Sequence, residues 1–547
     1  MPSLTADAVV IGAGPNGLVA ACFLADAGWD VVVVEAAAEV GGAVRSAEVV
    51  PGHVHDLFSS FYPLSAASPV LARLDLAAHG LRWRHTPTVL AHLTEPADAP
   101  AALLYRDPWD TAAGLEAEHP GDGDTWLRLV DHWNRLRDPL LEALFTPLPA
   151  PVPLARLLAR MSPAESLWTA RLATLPVHRL GQELFRGQGG RLLLAGNAAH
   201  SDIPTVSPLS GLFGWLLAML GQDVGFPVPE GGSGRLSAAL AGRARAAGTR
   251  IVTGARAERV VVRGGRALGV VCADGTSVRA RHAVLATCPA PTLYRRLLAA
   301  DDVPPGVLAA LRHFQWDTPT VKVNWSLREP VPWRAKAARA AGTVHVGVTM
   351  DQLAQWSTAL AVGRPSEHTF ALVGQPAVAD PSRAPGGGES LWAYSHLPGG
   401  GRATDAPDTV DTAGPAAADE LAERMEALIE AHAPGFRELV VHRFVQRPAD
   451  LEQDDPSLVG GALNGGTAQL HQQLVFRPIP GTGRPETTVE RLYLAGAGAH
   501  PGGGVHGAAG AQAARAALRG ARLGGVPGRA LTRVQRLLSG PSPWDPS

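Results

Sequence analysis

Apolar residues open the chain as a short β-branched run, Ala8 to Ile11, and after the turn GAGPNG they recur at helical spacing through LVAACFLADAG until Gly28 stops the helix. A second apolar run, DVVVVEA, ends at Glu35, which predicts a β-α-β unit at the start of the chain. From about Pro108 to Ser207 the pattern changes. TWLRLVDHWNRLRDPLLEAL and LARLLARMSPAESLWTARLATL have helical period, Pro-rich breaks and no β-alternation, and predict a helical cap. The apolar stretch Leu209 to Leu220 falls short of the roughly 20 residues of a membrane span and reads as a buried helix. Beyond Pro229, TRIVTGARAERVVVRGGRALGVVCADGTSVRARHAVLAT returns to short strands punctuated by Gly and Asp-Gly. Residues 316–480 alternate extended segments such as PTVKVNWSL and SLWAYSHL with a helix around DELAERMEALIEAHAPG, the pattern of a mixed sheet carrying helices. RLYLAGAGAHPGGGVHGAAGAQAARAAL closes as strand, Gly-rich turn and helix, and a short basic amphipathic tail, expected to be mobile, follows Gly525.

Composition bounds what such a chain does. With 547 residues, 46% hydrophobic and 18% charged, it folds into two or three structural units rather than remaining disordered. Lys+Arg 48 against Asp+Glu 50 leaves a formal charge of -2, and without a basic block there is no electrostatic footprint for nucleic acid. Cys22, Cys272 and Cys288 lie far apart with neither a Cys-X-X-Cys pair nor a metal spacing, so neither a disulfide framework nor a dithiol centre is indicated. The opening MPSLTADAVV lacks a basic leader region, and a cytoplasmic location is expected, with peripheral membrane contact left open.

The chemistry begins at Gly12, Gly14 and Gly17. Their G-X-G-X-X-G spacing lies between strand and helix, with Glu35 at the end of the next strand, and this context specifies dinucleotide binding. Gly12 permits the tight turn, Gly14 lets backbone approach a pyrophosphate, Gly17 allows close packing, and the helix N-terminus stabilises the anion. Glu35 is placed to accept hydrogen bonds from the adenosine ribose.

Beyond Glu35, the doublet Gly41-Gly42 followed by Arg45 resembles that of the flavin-containing amine oxidase and phytoene desaturase superfamily, where a glycine pair and an arginine approach the FAD diphosphate. Here Ala43 stands where amine oxidases place that arginine, so the resemblance passes the role to Arg45. LYLAGAGAHPGGGVHGAAGAQAA is similar to the closing flavin motif of phytoene desaturases and carotenoid isomerases. It implies that Gly496, Gly498, Gly503 and Gly504 clear space for the isoalloxazine ring with Val505 beneath it, while Ala257 meets adenine through its backbone. PGHVHDLFSSFYPL with Asp56, LLLAGNAAHSD and LWAYSHLPGG resemble the desaturase-like subgroup that includes pyridine nucleotide-disulfide oxidoreductase domain-containing protein 2. No second dinucleotide motif is found.

The implied fold is α/β: a Rossmann-like FAD-binding domain of the amine-oxidase type, with an inserted mixed-sheet and helical substrate domain. The expected FAD segments are 1–105, 228–300 and 486–525, the substrate segments 106–227 and 301–485, and the tail 526–547. The implied function is FAD-dependent dehydrogenation of an apolar or amphipathic isoprenoid- or lipid-like substrate. The FAD is noncovalent, and dioxygen or a quinone is the electron acceptor. A redox-neutral isomerase, an amine oxidase and a non-enzymatic flavoprotein are the alternatives. Lys322 is one of two lysines in the chain and resembles the amine-oxidase lysine that holds a water near the flavin. His200 with Asp202, and His506 beside the flavin turn, are candidates to line the cavity and move protons; His345 and His396 rank below them.

Overall fold

Alternation along the strands decides which faces of the molecule are covered. In the computed structural model, which describes residues 3–399 and 414–523, the opening unit is the strand Ser3–Ile11, the helix Pro15–Asp26 and the strand Val31–Val34. The two strands run parallel, with Ala8 opposite Val31 and Ile11 opposite Val34. Val31 to Val34 are buried at every position, as a strand covered on both faces requires. Across this sheet the order is Ala257–Arg263, Arg266–Cys272, Ser277–Ala286, Ser3–Ile11, Val31–Val34 and Arg250–Val252, with Leu492–Leu494 pairing in parallel with Ser277–Ala286. The helix Ala508–Arg522 crosses the first helix so closely that a Cβ on Gly510 would overlap Asn16 O.

The second sheet has the order Val440–Gln446, Thr320–Leu327, Glu389–His396, Ala371–Gly374, Ala341–Val346, Thr88–Leu93 and Ala102–Leu104. In Thr320–Leu327, Val321, Val323, Trp325 and Leu327 pack with Ala418, Leu421, Met425 and Ile429 of the helix Pro415–His432. The alternate positions Thr320, Lys322, Asn324 and Ser326 take the opposite face, and they too are buried. That face looks toward the first unit and carries the site described below.

The strands Thr88–Leu93 and Ala102–Leu104 belong to this second sheet, so the chain leaves the first unit before Thr88 rather than at the expected 105. Thr88–Leu93 is buried throughout and pairs in parallel with Ala341–Val346, and that pairing draws it across. Helices follow one another from Pro108 to Asp223, ending in Ser210–Asp223, which has no exposed position. Among the described residues no helix is long and apolar enough to cross a membrane. The expected tail, 526–547, lies outside the described residues.

Candidate active site

A groove runs along the end of the first sheet, and its walls are mostly backbone. Gly12, at φ 96°, turns the chain where a Cβ would overlap Thr287 Oγ1, and one on Gly17 would overlap Gly12 O, so strand, turn and helix lock together only without side chains. A Cβ on Gly42 would lie 3.3 Å from Gly14 Cα, so these two glycines face one another across the groove. The first helix begins there with Gly14 as its N-cap, no capping side chain and no acid in its first turn, which leaves its amides and positive dipole end for an anion. These features fit the diphosphate of a dinucleotide.

Glu35 lines the groove, and its carboxylate also accepts the Ala13 and Ala37 amides at 2.6 and 2.8 Å, so it braces the glycine turn. Ala257, Gly496, Gly498, Gly503, Gly504 and Val505 line it as well. Gly41 does not: its amide is held by Ala13 O at 2.9 Å, and it serves the turn that presents Gly42. Arg45 borders a smaller cavity beside Glu35 and Gly42. Its guanidinium donates to Gly42 O at 3.0 Å and Asp454 O at 2.7 Å, fastening the doublet to a distant loop.

Val505 joins the groove to a second cavity of about 250 Å³ and lines both. It is a β-branched residue held at φ 55°, a conformation costing on the order of 1–3 kcal/mol. Ser65 Oγ donates to Val505 O at 2.5 Å and Ser68 Oγ to His506 O at 2.7 Å, which keeps the strained turn in place.

The floor of this cavity is the polar face of the second sheet. Strand register places Lys322, Tyr394, Leu372, His345 and His92 in one row across five strands, with Asn324 opposite Trp392 in the next row. Phe58, Phe61, Phe226, Leu217 and Tyr62 add apolar walls, and among the described residues no Asp or Glu lines the cavity. Lys322 is its buried cation. Lys322 Nζ donates to Asp56 O and, at 3.1 Å, to Phe58 O, and it lies 5.6 Å from the centre of the Trp392 ring. Two of the three ammonium N–H groups are thus engaged, and one is left for a ligand. Burial pulls Lys322 down to about 7, opposed by Asp56 and reinforced by Arg383.

Asp56, which is fully buried, ties these elements together. Burial alone would raise its carboxyl, but Arg383 2.9 Å away, with bonds from Ser60 and Ser233, holds it at about 2. His200 lines the cavity and meets His345. Asp202 does not line it; its carboxylate accepts Thr467 Oγ1 and the Ala468 amide instead. His506 departs from expectation: it packs on Phe145, its Nδ1 accepts the Ala508 amide at the head of the last helix, and it lines neither groove nor cavity. Thr320 Oγ1 lies 3.3 Å from His396 Nδ1, beyond Tyr394 on the same strand.

The sequence reading passed over Trp392 and Tyr394, although the alternation in LWAYSHL puts both on one strand face. It also passed over the buried Arg477, which donates to Thr467 O at 2.9 Å, Asn464 O at 2.7 Å and Ala497 O at 2.9 Å. The buried Asp317 accepts amides from Leu463, Asn464 and Gly466 on the same loop. Arginine is the ordinary cation of this chain, so nothing in its sequence marks Arg477.

Residues 16–518 match the family model described as flavin containing amine oxidoreductase. The chain is 29% identical to pyridine nucleotide-disulfide oxidoreductase domain-containing protein 2 of Rattus norvegicus, covering 94% of this chain and 93% of that one. It is 28% identical to hydroxyneurosporene desaturase of Cereibacter sphaeroides, covering 92% and 95%. Among solved structures, an oxidoreductase from Methanosarcina mazei shares the fold with a TM-score of 0.58 at 16% identity, covering 94% of this chain and 100% of that one.

Proposed function

The chain belongs to the flavin containing amine oxidoreductase family and is an FAD-dependent oxidoreductase, and from that premise we propose that it dehydrogenates an uncharged apolar or amphipathic substrate of isoprenoid or lipid type. The observation that carries this reading is the lining of the cavity beside Val505: aromatic and aliphatic walls, a lysine and, among the described residues, no carboxylate. A protonated amine finds no counter-ion there and meets Lys322, whereas an uncharged chain buries apolar surface worth about 25 cal/mol per Å².

When bound, FAD supplies the acceptor for a hydride. In this reading Gly12, Gly14, Gly42 and the first helix hold its diphosphate, Glu35 faces the ribose, and the glycine turns at 496–498 and 503–505 receive the ring system. Lys322 uses its remaining N–H to hold a water or a substrate oxygen at the cavity floor. Trp392, Tyr394, Phe58 and Phe226 exclude solvent and orient the chain of the substrate. Reoxidation by dioxygen or a quinone completes the proposed cycle, with substrate delivered from a membrane surface.

Substrate charge is tested by titrating the FAD-loaded protein with decanol and with decylammonium and following the flavin absorbance. Decanol is expected to perturb the spectrum at concentrations at least 10-fold lower. Tighter binding of decylammonium would contradict the proposed substrate class.

A further inference from the structure

In the row of the second sheet beside that of Lys322, Trp392, Gly374 and Thr343 stand in register on three neighbouring strands. Gly374 lies between the other two and has no side chain. A Cβ there would overlap the Trp392 indole, 2.1 Å from Cε2 and 2.6 Å from Nε1. The indole therefore leans from its own strand across this glycine, away from Thr320–Leu327, and its nitrogen edge comes to lie over the strand next to that of Thr343.

Trp392 Nε1 and Thr343 Oγ1 have no hydrogen-bond partner among the described residues, although Trp392 is 5% exposed and Thr343 1%. Both residues line the cavity, and among the described residues no other that lines it buries an unpartnered side-chain nitrogen or oxygen. Ser60 and Thr320, on the same cavity, are paired with Asp56 and His396. Buried polar groups are paired as a rule, so two orphans on one cavity wall mark a place where a ligand completes the bonding. The indole N–H only donates, and the threonine hydroxyl has a proton to give. A carbonyl oxygen, with two lone pairs and no proton of its own, accepts from both. A hydrocarbon in the same place leaves both unsatisfied.

We propose that the cavity selects a carbonyl-bearing chain, whose oxygen accepts from Trp392 Nε1 and Thr343 Oγ1 beside Gly374. This rests on the reading of the cavity as the site of an uncharged substrate, and narrows that substrate from any apolar chain to a ketone, aldehyde or ester. Trp392 and Thr343 are specificity-determining residues: they hold the oxygen, and the apolar walls take the rest of the chain. Gly374 belongs with them, since a side chain there displaces the indole.

The test uses the FAD-loaded full chain and 2-nonanone carrying 13C at its carbonyl, followed by 13C NMR. 2-Methylnon-1-ene, which has CH2 in place of that oxygen, competes for the cavity. The alkene is the more hydrophobic of the two, so a cavity offering only apolar contact binds it more tightly. The ketone is expected to bind at least as tightly, with its carbonyl signal downfield of its position in hexane. Thr343→Val, which removes the hydroxyl at nearly constant volume, and Trp392→Phe are each expected to weaken the ketone roughly 5- to 150-fold and to leave the alkene bound as before or more tightly. Preference of the unsubstituted protein for the alkene, or a ketone affinity that neither substitution moves, would overturn the proposal. Should Trp392→Phe fail to fold, Thr343→Val and the unsubstituted protein decide. An alkene preference leaves the uncharged-substrate reading standing, whereas failure of both compounds beside tight binding of decylammonium removes both, so the two failures are told apart.

Discussion

An ammonium enclosed by aromatic rings and two backbone carbonyls titrates unlike one in water. Lys322, pulled by burial to about 7, binds fewer protons between pH 7 and 10 than the same lysine in an unfolded chain, whose value is 10.5. The unfolded state therefore holds the extra proton in that window, and the contribution of Lys322 to stability rises with pH across it. Unfolding free energies of the unsubstituted protein and Lys322→Met, compared at pH 7 and pH 9, are expected to move in favour of the former at the higher pH. A constant difference would contradict the assignment. In the reaction, Lys322→Met should slow the flavin half-reactions roughly 10- to 1000-fold at unchanged FAD content, followed by stopped-flow absorbance, and arginine should not rescue it, because its planar fork does not replace a compact ammonium. Unaltered rates in both halves would reduce Lys322 to a structural residue. In the groove, a Cβ on Gly14 would clear Gly42 Cα by 3.9 Å, so Gly14→Val is expected to fold and yet fill the space for the diphosphate. The purified variant should be colourless with a normal apoprotein circular dichroism spectrum, and full FAD occupancy would contradict the placement of the cofactor.

The elements differ in how openly the sequence declares them. Hydrophobic period and glycine spacing mark the opening strand, turn and helix, because a short β-branched run and a helical stripe are local properties. Thr320–Leu327 is harder to read: its alternation is plain, but its polar face is buried because a second element covers it, and pairing with strands tens of residues away decides that. The same holds for Thr88–Leu93, which belongs to the second sheet only through its partner Ala341–Val346. The position of His506 is not legible in the sequence, because proximity to the glycine turn does not fix where a ring points; the Ala508 amide captures it. The loop that Arg477 braces against Ala497 was invisible for a similar reason, since all its contacts are to backbone. Arg477→Met leaves those buried carbonyls unpaired, which is expected to cost roughly 1–3 kcal/mol. The measurement is thermal unfolding, where a marked fall in Tm together with weaker FAD retention is expected; an unchanged Tm would show that the loop holds itself.

Over the whole molecule, two sheets meet so that the glycine-walled groove of one opens onto the polar strand face of the other, with strained Val505 at the junction. In the proposed reading, the ring end of a bound dinucleotide lies beside an apolar cavity lined by a lysine. The proposed substrate class selects one of two chemistries that the family name leaves together. An amine oxidase needs a lining that welcomes a nitrogen base, whereas a dehydrogenase of uncharged carbon chains needs apolar walls and a proton acceptor. The most direct test is anaerobic: the FAD-loaded protein is mixed in turn with isoprenoid hydrocarbons and alcohols, fatty acyl derivatives, and primary and secondary amines, and the flavin absorbance band is followed. Bleaching by an isoprenoid or acyl compound, with none by the amines, is the expected result. Bleaching by amines alone would contradict it.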